Sequence, residues 1–297
     1  MAEHHHHHDH HDAHEHHGSA LRGAALLTLA FAAVEAAGGW WTGSLALLSD
    51  AGHMLTDGAA LGLAALAAWM ARRPPSSRHS YGLGRAEVFA ALVNAVAMFA
   101  IAVALGYEAL LRWQSPAPVK GGATALIAFF GLALNLAILR RLTPHRHDLN
   151  TRGAMLHVIG DAMGSAAALI AGLAIAFSGW LQVDAIASLL ICLLIAASAV
   201  RLTRESVHAL MEGVPHGLSV EAIGREMARV EGVLSVHDLH VWMLSGSRTA
   251  LSAHVVVGSM QQWDRTLSAL QHCLQERFRI DHVTLQPESD VRPLLRH

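Results

Sequence analysis

Six long apolar stretches follow one another along the chain up to residue 201. A helix needs about 20 apolar residues to cross about 30 Å of hydrocarbon. The six stretches run approximately over residues 21–41, 45–71, 86–111, 121–142, 153–178 and 183–201. The pattern predicts an α-helical membrane protein with six transmembrane helices in residues 21–212.

The pattern of apolar positions changes from about residue 213. Short amphipathic segments predict helices, and short alternating segments predict strands. We expect helices at 219–231 and 261–278 and strands at 235–244, 251–257 and 282–286. This αββαβ order predicts a compact α+β domain over residues 213–297, with an open sheet edge of the kind that pairs with a partner.

Positive charge lies mainly on one side of the predicted spans. Ten arginines flank the spans on that side: Arg72, Arg73, Arg78, Arg85, Arg140, Arg141, Arg146, Arg152, Arg201 and Arg204. The other side has only Arg112 and Lys120. Because cytoplasmic loops are enriched in Arg and Lys, both termini are expected in the cytoplasm. The first 20 residues are polar, so we expect no signal peptide, and we expect an integral protein of a bacterial cytoplasmic (inner) membrane.

Composition adds histidine as the unusual feature. Only 15% of the residues are charged, against about 25% in a soluble domain, and the net charge of −2 indicates no nucleic-acid partner. Two cysteines make a disulfide framework implausible. Ten of the 23 histidines lie in residues 1–20, interleaved with Asp9, Asp12 and Glu15. This tail is expected to be disordered and metal-binding. It is either native or an expression tag, and the interleaved acids favour a native tail.

Two histidine–aspartate pairs lie within predicted spans. His53 and Asp57 lie in the second span, and His157 and Asp161 lie in the fifth. Residues four apart share one face of a helix, and ionisable groups inside a membrane are usually functional. Asp50 lies one turn before His53. It is a candidate for a group that contacts the ligands or lies on a proton pathway, and a role in helix packing explains its presence equally well.

The two pairs together offer two imidazole nitrogens and two carboxylate oxygens. That set suits tetrahedral Zn²⁺, whereas Mg²⁺ prefers oxygen ligands only and copper(I) prefers sulfur. Protons compete with zinc for these ligands, so alternating access of the site would exchange zinc for protons and export the metal. We expect a transporter, not an enzyme, because no His-Glu-x-x-His run is present. The alternatives are a zinc-binding sensor or buffer without transport, and an exporter mainly of Cd²⁺, Co²⁺ or Fe²⁺.

Residues 43–57 (GSLALLSDAGHMLTD) resemble the second helix of the cation diffusion facilitator family, and residues 152–161 (RGAMLHVIGD) are similar to its fifth helix. The resemblance implies a homodimeric zinc/proton antiporter with a ferredoxin-like cytoplasmic domain. It places the transported metal on His53, Asp57, His157 and Asp161. A histidine at position 53 is associated in the family with a preference for zinc over cadmium.

The resemblance also implies a structural or regulatory zinc site in the cytoplasmic domain. His237, His254 and Glu288 match its ligand positions, and His282 and His240 are further candidates. The four histidines fall on the predicted strands. Glu288 lies two residues beyond the end of the third predicted strand. The alternative is a set of surface histidines on a half-exposed sheet. Metal bound there would stabilise the dimer and sense cytoplasmic zinc.

The loop between the second and third spans departs from the family. His79 matches a ligand of a further metal site, but Ser76 and Leu83 stand where other ligands are expected. We therefore do not expect a complete site there. Arg85 in the same loop is a candidate for a charge interlock with Glu212 that holds the dimer, and an ordinary positive-inside charge is the alternative.

Overall fold

The computed structural model describes the backbone of residues 11–143, 149–245 and 248–289. The side chains that lie outside the described residues within these ranges are those of residues 11–26, 142, 149–154, 156 and 157. The polyhistidine run at residues 4–8 and the loop histidines 145 and 147 also lie outside the described residues.

Six long helices come first along the chain. They are α1 His11–Thr42, α2 Leu45–Ala71, α3 Ala86–Gln114, α4 Gly121–Leu142, α5 Leu149–Ser178 and α6 Gln182–Leu210. In the described part of the chain, five helices, α2 to α6, are long and apolar enough to cross a membrane. The predicted first span lies within α1. Helix α6 continues nine residues past its predicted end at Arg201, because the apolar run ends there while the helix continues as a polar segment with an Arg201–Glu205 ion pair of 2.9 Å.

The chain divides into two compact units. The first consists of residues 1–62 and 94–200. Its core is made largely of small side chains, including Ala46, Ala128, Ala168 and Ala171. Helices α4 and α5 approach closely at Gly172, where a Cβ would lie 2.5 Å from the backbone nitrogen of Ala125. Small residues allow this close packing of helices in a membrane, where no hydrophobic effect drives their association.

The first turn of α2 is capped from another helix. Asp184 on α6 is 2% exposed, and its carboxylate accepts hydrogen bonds from Ser44 Oγ (2.6 Å) and from the backbone nitrogen of Leu45 (2.6 Å). The first backbone N–H groups of a helix have no partner within the helix, and a carboxylate there also suits the helix dipole. Asp184 therefore fixes the start of α2 against α6.

The second unit consists of residues 63–93 and 201–297. It contains α7 Val220–Met227, β1 Val233–Ser245, β2 Arg248–Val257, α8 Trp263–Phe278 and β3 His282–Ser289. This order agrees with the predicted αββαβ order. The sheet order is β1-β2-β3, with β1 antiparallel and β3 parallel to β2. The core of this unit includes Ile223, Leu251, Val255, Leu270 and Leu274, all fully buried.

Candidate metal centres

The first candidate centre lies in the unit built from the long helices. His53 Nδ1 lies 3.5 Å from Asp57 Oδ2, one turn along α2, and His53 Nε2 lies 3.8 Å from Asp161 Oδ1 on α5. One ligand atom from each of the three residues lies within 4.8 Å of the others. Asp161 is 1% exposed, whereas the side chains of His53 and Asp57 are 17% and 19% exposed. Asp161 is therefore the most buried member of the cluster, and His53 and Asp57 are partly exposed.

His157, the fourth predicted ligand, has a side chain that lies outside the described residues. Its position in α5 is one helical turn before Asp161, so it belongs to the same helix face. The three described groups supply one nitrogen and two carboxylate oxygens. Such a mixed set suits a borderline ion such as Zn²⁺ better than Mg²⁺.

The second candidate centre lies on the sheet. His254 Nδ1 on β2 is 2.7 Å from Glu288 Oε1 on β3, and His237 Nε2 on β1 is 3.3 Å from Glu288 Oε2. One ligand atom of each residue lies within 4.8 Å of the others. All three strands thus contribute one group each. In the described part of the chain, these two clusters are the only groupings of this kind.

Comparisons with known proteins identify the family. The model of the cation efflux transmembrane domain matches residues 21–211, and that of the cation efflux protein cytoplasmic domain matches residues 215–290. The chain belongs to the cation diffusion facilitator family. As a member of this cation efflux family, it is an integral membrane transporter and not an enzyme.

Relatives within the cation diffusion facilitator family match over most of their length. The chain is 43% identical over 265 residues to "Zinc transporter ZitB" of Escherichia coli, covering 88% of this chain and 84% of the relative. It is 37% identical over 264 residues to the "Cadmium, cobalt and zinc/H(+)-K(+) antiporter" of Bacillus subtilis, covering 87% and 85%. A solved structure of the metal-bound C-terminal domain of a CzcD transporter is 32% identical, with a TM-score of 0.23, and covers 24% of this chain and 99% of that one.

Asp238 lies beside the cluster on the sheet, although nothing in the sequence singled it out. Its Oδ1 lies 2.9 Å from His240 Nε2, and its Oδ2 lies 3.8 Å from His254 Nε2. Strand β1 has one extra residue between His237 and His240, and Asp238 has a left-handed φ of 50° in this bulge. Aspartate tolerates that conformation better than most residues, and bulges redirect side chains. Only the pairing register could have revealed this carboxylate.

The remaining candidates of the second unit lie outside the three-residue cluster. His240 reaches it through Asp238, whereas the His282 ring packs edge-on against Tyr81, with centroids 5.7 Å apart. His79 lies in neither described metal cluster. His79 and His240 line a cavity of about 900 Å³ in this unit. The three residues of the cluster on the sheet are not part of its lining.

The predicted pair Arg85–Glu212 forms an ion pair in this structure. Arg85 Nη2 lies 2.7 Å from Glu212 Oε1, and the two side chains are 43% and 61% exposed. An exposed pair of this kind contributes only about 0–1 kcal/mol to stability. The pair by itself therefore adds little to the stability of the second unit.

Proposed function

We propose that this protein exports Zn²⁺ from the cytoplasm in exchange for protons by alternating access of a site formed by His53, Asp57, His157 and Asp161. The proposal rests mainly on the convergence of His53, Asp57 and Asp161 within the helical unit of a family that transports cations. Zinc is the transported substrate at this site. The name of the Escherichia coli relative supports zinc as the cargo.

Proton coupling follows from the chemistry of the ligands. Zinc binds the neutral imidazole and the ionised carboxylate, so loading the metal displaces protons and acid expels the metal. Histidine titrates near neutral pH, which places this competition in the physiological range. A site that opens first to the cytoplasm and then to a more acidic exterior would thus exchange the two ions. The Bacillus subtilis relative is itself named an antiporter that uses H⁺.

We further propose six spans with both termini in the cytoplasm of a bacterial cell. The ten arginines on one side of the spans support this orientation. Two cation–aromatic contacts are consistent with helix ends at the membrane interface: Lys120 lies 4.2 Å from the Trp41 ring centre, and Arg73 lies 4.3 Å from that of Trp69. Tryptophan is enriched at both interfaces. Helix α1 would supply the sixth span.

Residues 213–297 would form a ferredoxin-like dimerisation domain that binds a regulatory zinc through His237, His254 and Glu288. The αββαβ order and the match to the cation efflux cytoplasmic domain support this assignment. The domain would follow a transmembrane domain over residues 21–212, itself preceded by a histidine-rich tail over residues 1–20. Zinc that binds only the folded dimer would stabilise it by mass action.

The test is a flux assay with the purified full-length protein in liposomes that contain a zinc-sensitive dye. We expect zinc uptake that rises when the lumen is made acidic, and loss of uptake in Asp161→Asn. The matched control is Asp264→Asn, which removes an acid of α8 that lies in neither described cluster. A protein that binds zinc but moves none would be the buffer or sensor.

The specific alternative is an exporter whose main substrate is another divalent ion. It is favoured by the Bacillus subtilis relative, whose name lists cadmium and cobalt before zinc. The same liposomes report on it when zinc is replaced in turn by Cd²⁺, Co²⁺ and Fe²⁺. Faster uptake of any of these ions than of zinc at equal concentration would contradict zinc as the main cargo.

A further inference from the structure

A second polar cluster lies in the helical unit beside the metal centre. It is formed by Glu35 on α1, Asp50 on α2, Asn135 on α4 and Ser165 on α5, and all four residues are at most 2% exposed. Ser165 Oγ donates a hydrogen bond of 2.9 Å to Asp50 Oδ2 and accepts one of 3.3 Å from Asn135 Nδ2. Four helices thus contribute one polar side chain each.

The carboxyl groups of this cluster are incompletely paired. Among the described residues, neither Glu35 oxygen has a hydrogen-bond partner, and Asp50 Oδ1 has none either. A buried ionised carboxylate without a partner costs several kcal/mol and is rare in proteins. Two such groups close together cannot both stay charged unless a cation joins them. The cluster therefore requires a cation.

Two glycines provide the space for these carboxyl groups. A Cβ at Gly131 would lie 2.6 Å from Glu35 Oε1 and 3.2 Å from Ser165 Oγ, and a Cβ at Gly164 would collide with Asp50 Oδ1. Glu35 and Ser165 thus approach the same point on α4. The carboxyl groups occupy the space beside these glycines that a larger residue's side chain would take. A larger residue at either position would therefore collide with one of the acids.

The donor set identifies the cation as a proton. All groups in the cluster offer oxygen atoms or an amide, and no imidazole or thiol is present among them, so a zinc site is unsuitable. A metal such as Mg²⁺ would need about six oxygens, whereas three unpartnered carboxyl oxygens are available. A proton needs one oxygen and no coordination shell.

We propose that Glu35 and Asp50 form a proton-binding site, separate from the metal centre, that carries one of the counter-transported protons. This inference rests on the proposed zinc/proton exchange. In the step, a proton from the outer water binds a carboxylate to give the neutral acid, and the same proton is released later to the cytoplasmic water. Asp161 on α5, four residues before Ser165, is a further carboxylate in this part of the helical unit.

The positions of these residues link the two sites mechanically. Asp50 lies three residues before His53 on α2, and Ser165 lies four residues after Asp161 on α5. These spacings correspond to about 4.5–6 Å along a helix. A movement of α2 against α5 that opens the metal centre must therefore also alter the Ser165–Asp50 hydrogen bond. Proton binding and metal release would be coupled through that movement.

The test measures the steady-state zinc accumulation that a pH gradient drives in liposomes. A gradient of one pH unit changes the driving ratio about tenfold for each proton exchanged. We expect Glu35→Gln to lower the accumulation ratio about tenfold per pH unit, since one fewer proton is exchanged per metal ion. Zinc should still bind to Glu35→Gln in detergent, because Glu35 is not one of the proposed ligands. Asp50→Asn should lower the ratio in the same way.

The controls separate this inference from a structural role and from the exchange itself. Glu35→Asp keeps the carboxyl and should retain the wild-type ratio, and Glu205→Gln, on the exposed part of α6, should not change it. If Glu35→Gln keeps the wild-type zinc accumulation ratio, the inference is overturned and the proposed function stays intact. The same holds if Glu35→Asp and Glu35→Gln lower this ratio equally. Wild-type protein that ignores the pH gradient would overturn both. A ratio that follows a potassium gradient and is lost in Glu35→Gln would contradict a proton as the ligand.

Discussion

His237 on β1 is the direct cross-strand partner of His254 on β2, and the centroids of their imidazole rings lie 5.3 Å apart. Opposed residues of an antiparallel pair have Cβ atoms about 4.5–5.5 Å apart. The strand pairing therefore brings the two imidazoles together on one face of the sheet. Glu288 on the neighbouring strand then completes a three-residue cluster.

His254→Ala should abolish zinc binding by the cytoplasmic cluster, because His254 contacts Glu288 and packs against His237. Zinc at 100 times its dissociation constant stabilises a protein by about 2.7 kcal/mol, and the variant should lose this stabilisation. Calorimetry of the full-length protein with and without zinc measures it. His272→Ala is the matched control, since His272 is an exposed histidine of α8 that lies outside both described clusters.

Asp238→Asn separates the backbone role of Asp238 from its charge. Asparagine tolerates the left-handed conformation in the same way, so the bulge should persist. Loss of the carboxylate beside His240 and His254 should weaken zinc binding by about 10- to 100-fold, the usual range for a group that orients a metal ligand. Titration of the cytoplasmic cluster with zinc reports this change. Unchanged affinity would show that Asp238 does not orient His254.

His53→Asp should alter the choice of metal at the transport centre. An imidazole offers one nitrogen, whereas a carboxylate can offer two oxygens and so can accommodate a larger ion with more ligands. We expect the ratio of cadmium to zinc uptake in liposomes to rise. Asp161→Asn, which should reduce the uptake of both ions, is the comparison. A fall in the cadmium-to-zinc ratio in His53→Asp would contradict the assignment of His53 as a ligand.

Asp184→Ala should destabilise the helical unit by about 3 kcal/mol, because it leaves buried donors at the start of α2 without an acceptor. Asp184→Asn keeps one acceptor oxygen and should cost less. Thermal unfolding in detergent measures the difference. Ser44→Ala removes one of the donors and should have a smaller effect than Asp184→Ala. Equal stability of all three variants would mean that water replaces the cap.

Charge reversal tests the Arg85–Glu212 pair. Arg85→Glu and Glu212→Arg should each change the free energy of unfolding by less than about 1 kcal/mol, because the pair is exposed. If the pair holds the dimer, each single variant should lower the dimer fraction, and the double variant should restore it. Sedimentation in detergent measures this fraction. Recovery in the double variant is the decisive observation, because it requires the two charges to act on each other.

The sequence alone was enough to predict the elements of secondary structure. Apolar runs of about 20 residues and alternating apolar positions depend on local periodicity, so the helices α2 to α6 and the order of the cytoplasmic elements follow from them. The histidine–aspartate spacing also placed each pair on one helix face. Helix α6 continues nine residues beyond the predicted apolar run, because such a run marks the hydrocarbon and not the end of the helix.

Tertiary structure alone decided which side chains from different elements meet. His53 and Asp161 are 108 positions apart, and the carboxylate of Asp238 reaches His254 only because of a bulge that shifts the strand register. The burial of Glu35 without a hydrogen-bond partner among the described residues depends on where α1, α2, α4 and α5 pack. Such contacts depend on packing between distant segments, which no local pattern records.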